Sequence, residues 1–415
     1  MEIIITDLKA RQVLSSRGEP TVEVSLKLNN EFEGVSIVPS GASKGKFEAL
    51  EIKDGDPNLY QGKSVYQVVK LINEVLRINL IGKKFNSLRE LDNYLIKLDG
   101  TKNKSKYGGN GLLGISISFL KAISKVYKLD PYQYLGGINT NKFPLPMMNV
   151  INGGAHVNNS LDIQEFMIVP VGATSMEQAI RWCVEVYYSL KSILQSQGLS
   201  TSVGDEGGFA PNLKSEEEAL ELLVEAIKKA NYIPGTDFKI SLDVASSEWK
   251  VKDGYFLPKK KKVMTSKELM EYYLKMIDKY PLLSLEDPFD QEDYNSWSSF
   301  LSLVKDKIYL VGDDLYTTNV ERLKIGIDRK LTNAILIKPN QIGTVSETID
   351  CINLARSNQM KVIVSHRSGE SEDNFISDLA YGIQSEYVKF GAPCRSERTT
   401  KYNRLLKISE DLKLI

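Results

Sequence analysis

The sequence predicts an α/β chain in two parts: a smaller α+β domain over residues 1–136, then a TIM-like (β/α)8 barrel over residues 140–415. Three observations lead there. A chain of 415 residues is too long for one small core and suggests two domains. Its first forty residues read as antiparallel strands and are followed by helices, the order of an α+β unit. After Lys142, short apolar runs alternate with amphipathic helices over some 270 residues, close to the ~250 typical of a closed barrel. A doubly wound open sheet is the rival arrangement.

Taken in order, residues 21–28 (TVEVSLKL) place Val22, Val24, Leu26 and Leu28 on alternate positions, the period of a half-buried strand. Asn29 and Asn30 make a turn, and 32–38 continue the meander. Residues 38–46, rich in small side chains, form a mobile loop. Helical spacing covers 65–80, 87–98 and 112–127, and 131–137 read as a loop. In the second part helices are expected at 175–197, 215–231, 266–279, 318–329, 344–358 and 371–381.

The apolar runs between these helices end on charge. One run carries Asp243, and the next two lead into Glu286 and into Asp313-Asp314. Residues 334–337 stop on Lys338, which Pro339 holds in extended geometry, with a polar turn after it. Later runs end at Ser365-His366-Arg367-Ser368 and at Lys389; earlier ones finish around Gln164-Glu165 and Asp205-Glu206. From Asp243 to Lys389 the steps are 43, 27, 25, 28 and 23 residues, and each later one is about one strand–helix unit. One charged strand end means little, because a charge must leave the core anyway. A series in register points to a ring at the mouth of a barrel.

Composition excludes several classes. Lys+Arg 53 balances Asp+Glu 53, so no net field points to nucleic acid or an acidic membrane. Three separated cysteines, Cys183, Cys351 and Cys394, fit a reduced compartment. The N-terminal run reads as no signal peptide, and no stretch approaches the roughly 20 apolar residues of a membrane span. The expectation is a cytoplasmic protein.

Asp243, Glu286 and Asp313 would bring three like charges into one mouth. That needs a cation, and oxygen-only ligands suit Mg²⁺. Each carboxylate alone could instead cap a helix or pair with a lysine. Lys338 and Lys389 would lie near the metal, where burial and nearby positive charge lower a lysine's pKa toward that of a general base. Glu165 and Glu206 would face them as candidate acids. Arg367 beside Ser368 suggests an anion site and a phosphorylated substrate. The two histidines, His156 and His366, are individually more often structural than catalytic.

Three motifs are set aside. Residues 109–114 match G-x-G-x-x-G, but a polar, lysine-rich stretch precedes them where a dinucleotide site needs a strand. Residues 41–46 only approximate a P-loop. Lys259 to Lys262 read as a solvated loop.

The chain resembles the enolase family over nearly its whole length. The resemblance rests on SRG at 16–18, VPSGAS at 38–43, NGG at 152–154, QEFMI at 164–168 and GDEGGFAPN at 204–212. It continues with EDPF at 286–289, GDDL at 312–315, NQIGT at 340–344, SHRSGE at 365–370 and RSER at 395–398. It implies the enolase type of barrel and the glycolytic and gluconeogenic dehydration of 2-phospho-D-glycerate to phosphoenolpyruvate. It further implies Lys338 as the base at C2 and Glu206 as the acid at the C3 hydroxyl, with Glu165 and His156 also catalytic. Asp243, Glu286 and Asp313 would hold a first Mg²⁺. Ser40 would hold a second with the substrate. Gln164, His156, Glu165, Glu286, Asp313, His366, Arg367, Ser368 and Lys389 would meet the substrate, with Lys389 on its carboxylate and Arg367 and Ser368 on its phosphate. Family members are homodimers or homo-octamers. The sequence departs from the pattern at Lys44, at Val157-Asn158, at Phe390, and at Lys407, whose expected intersubunit partner is Glu23. A relative acting on an unphosphorylated acid and a non-catalytic scaffold remain the rival readings.

Overall fold

The computed structural model describes residues 2–41, 45–137 and 140–413. The N-terminal part begins with an antiparallel sheet, β1 (Ile5–Leu14), β2 (Pro20–Leu28) and β3 (Phe32–Ile37), in that order. Asn29 and Asn30 both take positive φ (52° and 60°), the left-handed pair that lets a two-residue turn follow the strand twist. Val22, Val24, Leu26 and Leu28 are fully buried, as their alternation predicts. Against the sheet pack α1 (Tyr66–Lys70), which continues through a π-helical turn (Leu71–Leu76) into α2 (Arg77–Leu80), and, two helices later, α4 (Gly109–Val126), with α3 (Leu88–Asp99) packed on α4. Ser87 caps α3 and left-handed Gly100 (φ 70°) ends it.

The glycines of the set-aside G-x-G-x-x-G motif serve packing. They open the buried helix α4, and a Cβ on Gly114 would lie 2.5 Å from the Val24 side chain. The expected loop at 131–137 is instead a short helix, α5 (Pro131–Gly136). Pro131 fits its first turn, and the Gln133 side chain accepts the Asp130 N–H at 2.9 Å.

The second part is a closed barrel. Its first strand is interrupted at Met147, giving β4 (Leu145–Pro146) and β5 (Met148–Asn152). There follow β6 (Glu165–Val169), α6 (Met176–Ser196), α7 (Glu216–Lys229) and β7 (Lys239–Asp243). A three-stranded excursion, β8 (Lys250–Val251), β9 (Gly254–Leu257) and β10 (Lys262–Met264), leads to α8 (Ser266–Lys279). Regular units complete it: β11 (Leu282–Glu286), α9 (Tyr294–Val304), β12 (Tyr309–Gly312), α10 (Val320–Arg329) and β13 (Ala334–Ile337). Then come α11 (Pro339–Ile342), α12 (Val345–Ser357), β14 (Lys361–Ser365), α13 (Phe375–Gly382), β15 (Tyr387–Lys389) and α14 (Ser396–Asp411). The polar turn expected after Lys338 is the one-turn helix α11, ended by left-handed Gly343 (φ 97°).

Strand β15 pairs with β4 and β5 pairs with β6, so the sheet closes. The strands from β7 through β11 to β15 and on to β4 run parallel, whereas β6 is antiparallel to both its neighbours. The first unit is therefore strand, strand, helix, helix, and only the remaining six are strand–helix units. Inside the barrel, Met147, Met167, Val311, Leu336 and Ile363 form part of an apolar layer. Two residues along the same strands stand Glu165, Asp313, Lys338 and Ser365. Because side chains alternate, this layer aims the charged residues into the mouth above it.

Candidate active site

One small cavity is lined by Gln164, Glu165, Glu206, Asp243, Asp313, Lys338, His366, Arg367, Ser368 and Lys389. Nearly every residue expected from sequence is thus brought together. Glu286 joins through Lys389. The side chain of His156 lies outside the described residues; its backbone forms a one-turn helix, Gly154–His156. Lys44 and two neighbours of the 38–46 loop also lie outside them.

The base side is built on β12 and β13. The Lys338 ammonium contacts an Asp313 carboxylate oxygen. Its backbone N–H donates to Thr318 Oγ1 at 2.9 Å, Thr318 donates to Gln341 Oε1 at 2.9 Å, and Gln341 Nε2 donates to Asp313 at 2.9 Å. That ring fixes the lysine at both ends. It depends on Thr317 and Thr318, both fully buried with positive φ (46° and 53°), where β-branched residues are strained. Burial lowers the pKa of Lys338, but the Asp313 carboxylate outweighs it and holds the amine above its ordinary value. The expected depression is not found. Sequence counted the neighbouring cations and not the anion in direct contact.

Lys389 lies buried among three carboxylates: Asp243 at 2.8 Å, Glu286 at 3.0 Å and Glu165 at 3.0 Å. Even so, negative charge exceeds positive. Burial and then Glu206 push Glu165 well above the carboxylate range, and burial and then Asp243 do the same to Glu286. Asp314 rises to about 7 through burial and Asp313. Asp313 alone among these falls: burial opposes ionisation, but Lys338 more than compensates.

The acidic oxygens closest together belong to Asp287, Asp313 and Asp314, within 4.8 Å of one another, not to Asp243, Glu286 and Asp313. Asp287 spends both oxygens on backbone, accepting the N–H of Asp313 at 2.9 Å and of Asp314 at 2.8 Å. It shapes the turn that presents Asp313. An all-oxygen donor set with surplus negative charge fits a hard divalent cation; of the expected ligands, Asp243 and Glu286 meet on Lys389 and Asp313 meets Lys338.

The acid side is built differently. Glu165 begins its strand instead of ending it, and the reversed direction of β6 carries it to the mouth. Glu206 is on no strand. It sits in the link between α6 and α7, which returns to the mouth and pairs with the barrel through Phe209, whose N–H donates to Val150 O at 2.9 Å. Asn149 Nδ2 donates to Glu206 Oε2 at 3.0 Å, and His366 Nε2 stands 3.5 Å from the same oxygen. Gln164 Nε2 reaches Asp243 at 3.4 Å.

Arg367 makes a two-pronged ion pair with Glu48 at 3.0 and 3.2 Å and reaches Asn340 at 3.2 Å. Ser40 Oγ donates to Glu51 at 2.9 Å, and its backbone exchanges two 2.8 Å hydrogen bonds with Gly369. The N-terminal part is therefore docked on the corner that carries Arg367. The set-aside lysines are not merely solvated. The N–H groups of Lys259 and Lys260 donate to the Asp162 carboxylate at 2.7 and 3.1 Å, and the Lys260 ammonium contacts Glu216. Of the departures, Phe390 is buried with its ring 6.0 Å from Tyr402, and Glu23 is engaged within the chain by Arg11 at 2.5 Å.

Sequence reasoning missed Glu48, Asn149, Gln341 and Arg398 as residues that hold the functional groups. Asp287 and Asp314 were visible as neighbours of expected ligands; Arg398 stood in the RSER motif without a role, and Asn149 carried no local signal. Residues 5–135 match the family model described as "Enolase, N-terminal domain", and residues 140–414 match "Enolase, C-terminal TIM barrel domain".

Proposed function

The chain belongs to the enolase family, and on that premise we propose that it dehydrates 2-phospho-D-glycerate reversibly to phosphoenolpyruvate and water. The observation that carries this reading is a single cavity lined by a lysine on one arc, Glu165 and Glu206 on another, and carboxylates and an arginine between. Lys338 Nζ takes the C2 proton. The electrons of that C–H bond form the C2–C3 double bond, and the C3–O bond breaks as Glu206 donates the proton that completes water. Glu165, whose carboxyl burial pushes above its ordinary range, stands beside Glu206 as a further candidate donor. Lys389 meets the substrate carboxylate; Arg367, released from Glu48, meets the phosphate with Ser368.

Asp243, Glu286 and Asp313 would hold Mg²⁺, which when bound would supply the positive charge that stabilises the enolate oxygens. A cation sharing Asp313 would weaken the contact that raises Lys338. Ser40 would leave Glu51 to serve a second Mg²⁺ with the substrate. Gln164, His156 and His366 complete the pocket. We further propose a cytoplasmic homodimer or homo-octamer, which mass measurement in solution distinguishes. No helix among the described residues is long and apolar enough to cross a membrane.

The test is absorbance growth from 2-phosphoglycerate with and without Mg²⁺, with unphosphorylated glycerate as the comparison. Turnover of glycerate at a similar rate, or of neither acid, overturns the assignment.

A further inference from the structure

Arg398 is fully buried in the first turn of α14, an unusual place for a guanidinium. Its Nη1 lies 2.7 Å from His366 Nδ1 and 2.6 Å from Arg367 O; its Nη2 donates to Asp205 O at 2.9 Å and Ser368 O at 2.7 Å. One side chain thus ties together the segment bearing Glu206 and the segment bearing His366, Arg367 and Ser368. Gly391 makes the room. Its φ is +89°, and a Cβ there would stand 2.9 Å from Arg398 Cδ and 3.1 Å from His366 Cε1.

The contact with His366 has a chemical consequence. A guanidinium has only N–H donors and does not lose its proton in a protein. The nitrogen it meets must therefore accept, so Nδ1 of His366 carries the lone pair and Nε2 carries the hydrogen. That Nε2 is the atom facing Glu206 Oε2 at 3.5 Å, long for a hydrogen bond, as catalytic contacts often are without substrate. We propose that Arg398 is a positioning residue for the acid arc: it fixes His366 as the neutral Nε2–H tautomer, aimed at the oxygen where Glu206 becomes negative. With Asn149 on the same oxygen at 3.0 Å, two preset donors meet the charge that develops as the proton leaves.

The charged groups bearing on the ring agree. Glu206 faces it from its link, Arg398 from α14 and Glu370 from the ring's own segment; burial first, then Arg398, keeps it neutral, with a pKa near 4. The inference rests on Glu206 acting as the acid, but its primary readout does not require turnover.

Only two histidines are present, so His156→Asn leaves one imidazole to observe. Long-range ¹H–¹⁵N spectra of that protein should show a protonated Nε2 and an unprotonated Nδ1, unchanged from about pH 8 to about pH 5. An Nδ1–H tautomer, or an imidazolium at neutral pH, overturns the proposal without any further variant. Arg398→Met should mix the tautomers and raise the pKa of His366. In the otherwise native chain it should lower kcat about tenfold to a hundredfold with little change in KM, as when other partners orienting a functional histidine are lost. Arg398→Lys, which keeps a donor, should restore much of the tautomer. A Met variant that folds and keeps a single Nε2–H form overturns the proposal. An Nε2–H ring in a protein that does not turn over 2-phosphoglycerate upholds the tautomer and overturns the functional reading instead.

Discussion

The two arcs of the barrel mouth are held by different parts of the chain. The base arc, on β12 to β14, is propped by the N-terminal part. Glu48 grips Arg367, Ser40 pairs with Gly369, and the Ala49 N–H donates to Gln341 O at 2.7 Å. Behind it, Asp92 accepts the Ser346 N–H and Arg89 pairs with Asp350. The acid arc, on β5, β6 and the link to α7, is propped from the C-terminal end and the lysine-bearing excursion. Arg398 reaches Asp205 O, Tyr187 donates to Gly207 O, and Lys259 and Lys260 hold Asp162. Arg398 also reaches Arg367 O and Ser368 O beyond β14 and so links the two arcs, whereas the other props serve one arc each.

The largest effects should separate the arcs by kind of reaction. Lys338→Met should lower turnover about 10²- to 10⁴-fold, the range for a positioned acid or base, and should also abolish exchange of the C2 hydrogen with heavy water. Glu206→Gln should lower turnover by a similar factor but leave that exchange running, because the base is intact. Mass spectrometry of recovered substrate reads both. Equal loss of exchange in the two variants would dissolve the division between the arcs.

The arcs also differ in how much the sequence revealed. The base arc was legible because its units are regular. A strand that buries Ala334 and Leu336 must turn Lys338 inward, and the neighbouring units repeat that register. The residues of the acid arc were named correctly as a group, yet their setting was not. Periodicity carries no sign of direction, so a strand beginning with Glu165 reads like one ending there. Glu206 arrives by an irregular link whose pairing with Val150 is long-range. The pairing of Arg398 with His366, 32 residues apart, is invisible to local pattern even though Arg398 stands in a quoted motif. The lysine pKa failed for the same reason, since it is decided by one contact with Asp313.

Metal binding should act on the strand ends from β7 to β12 before it reaches the acid arc. At a hundredfold excess over its Kd, a ligand bound only by the folded state adds about 2.7 kcal/mol of stability. Mg²⁺ should therefore raise the melting temperature of the native chain and do so far less in Asp243→Asn. Hydrogen exchange should slow at the ends of β7, β11 and β12 more than across 204–209. Uniform slowing would mean that the arcs respond as one body.

The smallest effect tests the prop beneath the base arc. Asp92 is fully buried on α3 and accepts the Ser346 N–H at 2.9 Å, in the first turn of α12. Burial raises its pKa from 3.8 to about 6. The folded chain thus holds this proton where the unfolded chain has lost it. Below about pH 4 both states are protonated and Asp92 costs nothing. Between about pH 4 and about pH 6 only the unfolded state ionises, so stability falls as pH rises; above that the cost is constant. Asp92→Asn keeps an acceptor for Ser346 and carries no charge. It should match the native chain near pH 4 and exceed it by about 1–3 kcal/mol at pH 7.5, measured by urea unfolding at each pH. Turnover should barely change, because the asparagine preserves the hydrogen bond to Ser346. A variant less stable than the native chain at pH 7.5 would show that the helix end and Arg89 make the ionised carboxylate worth keeping.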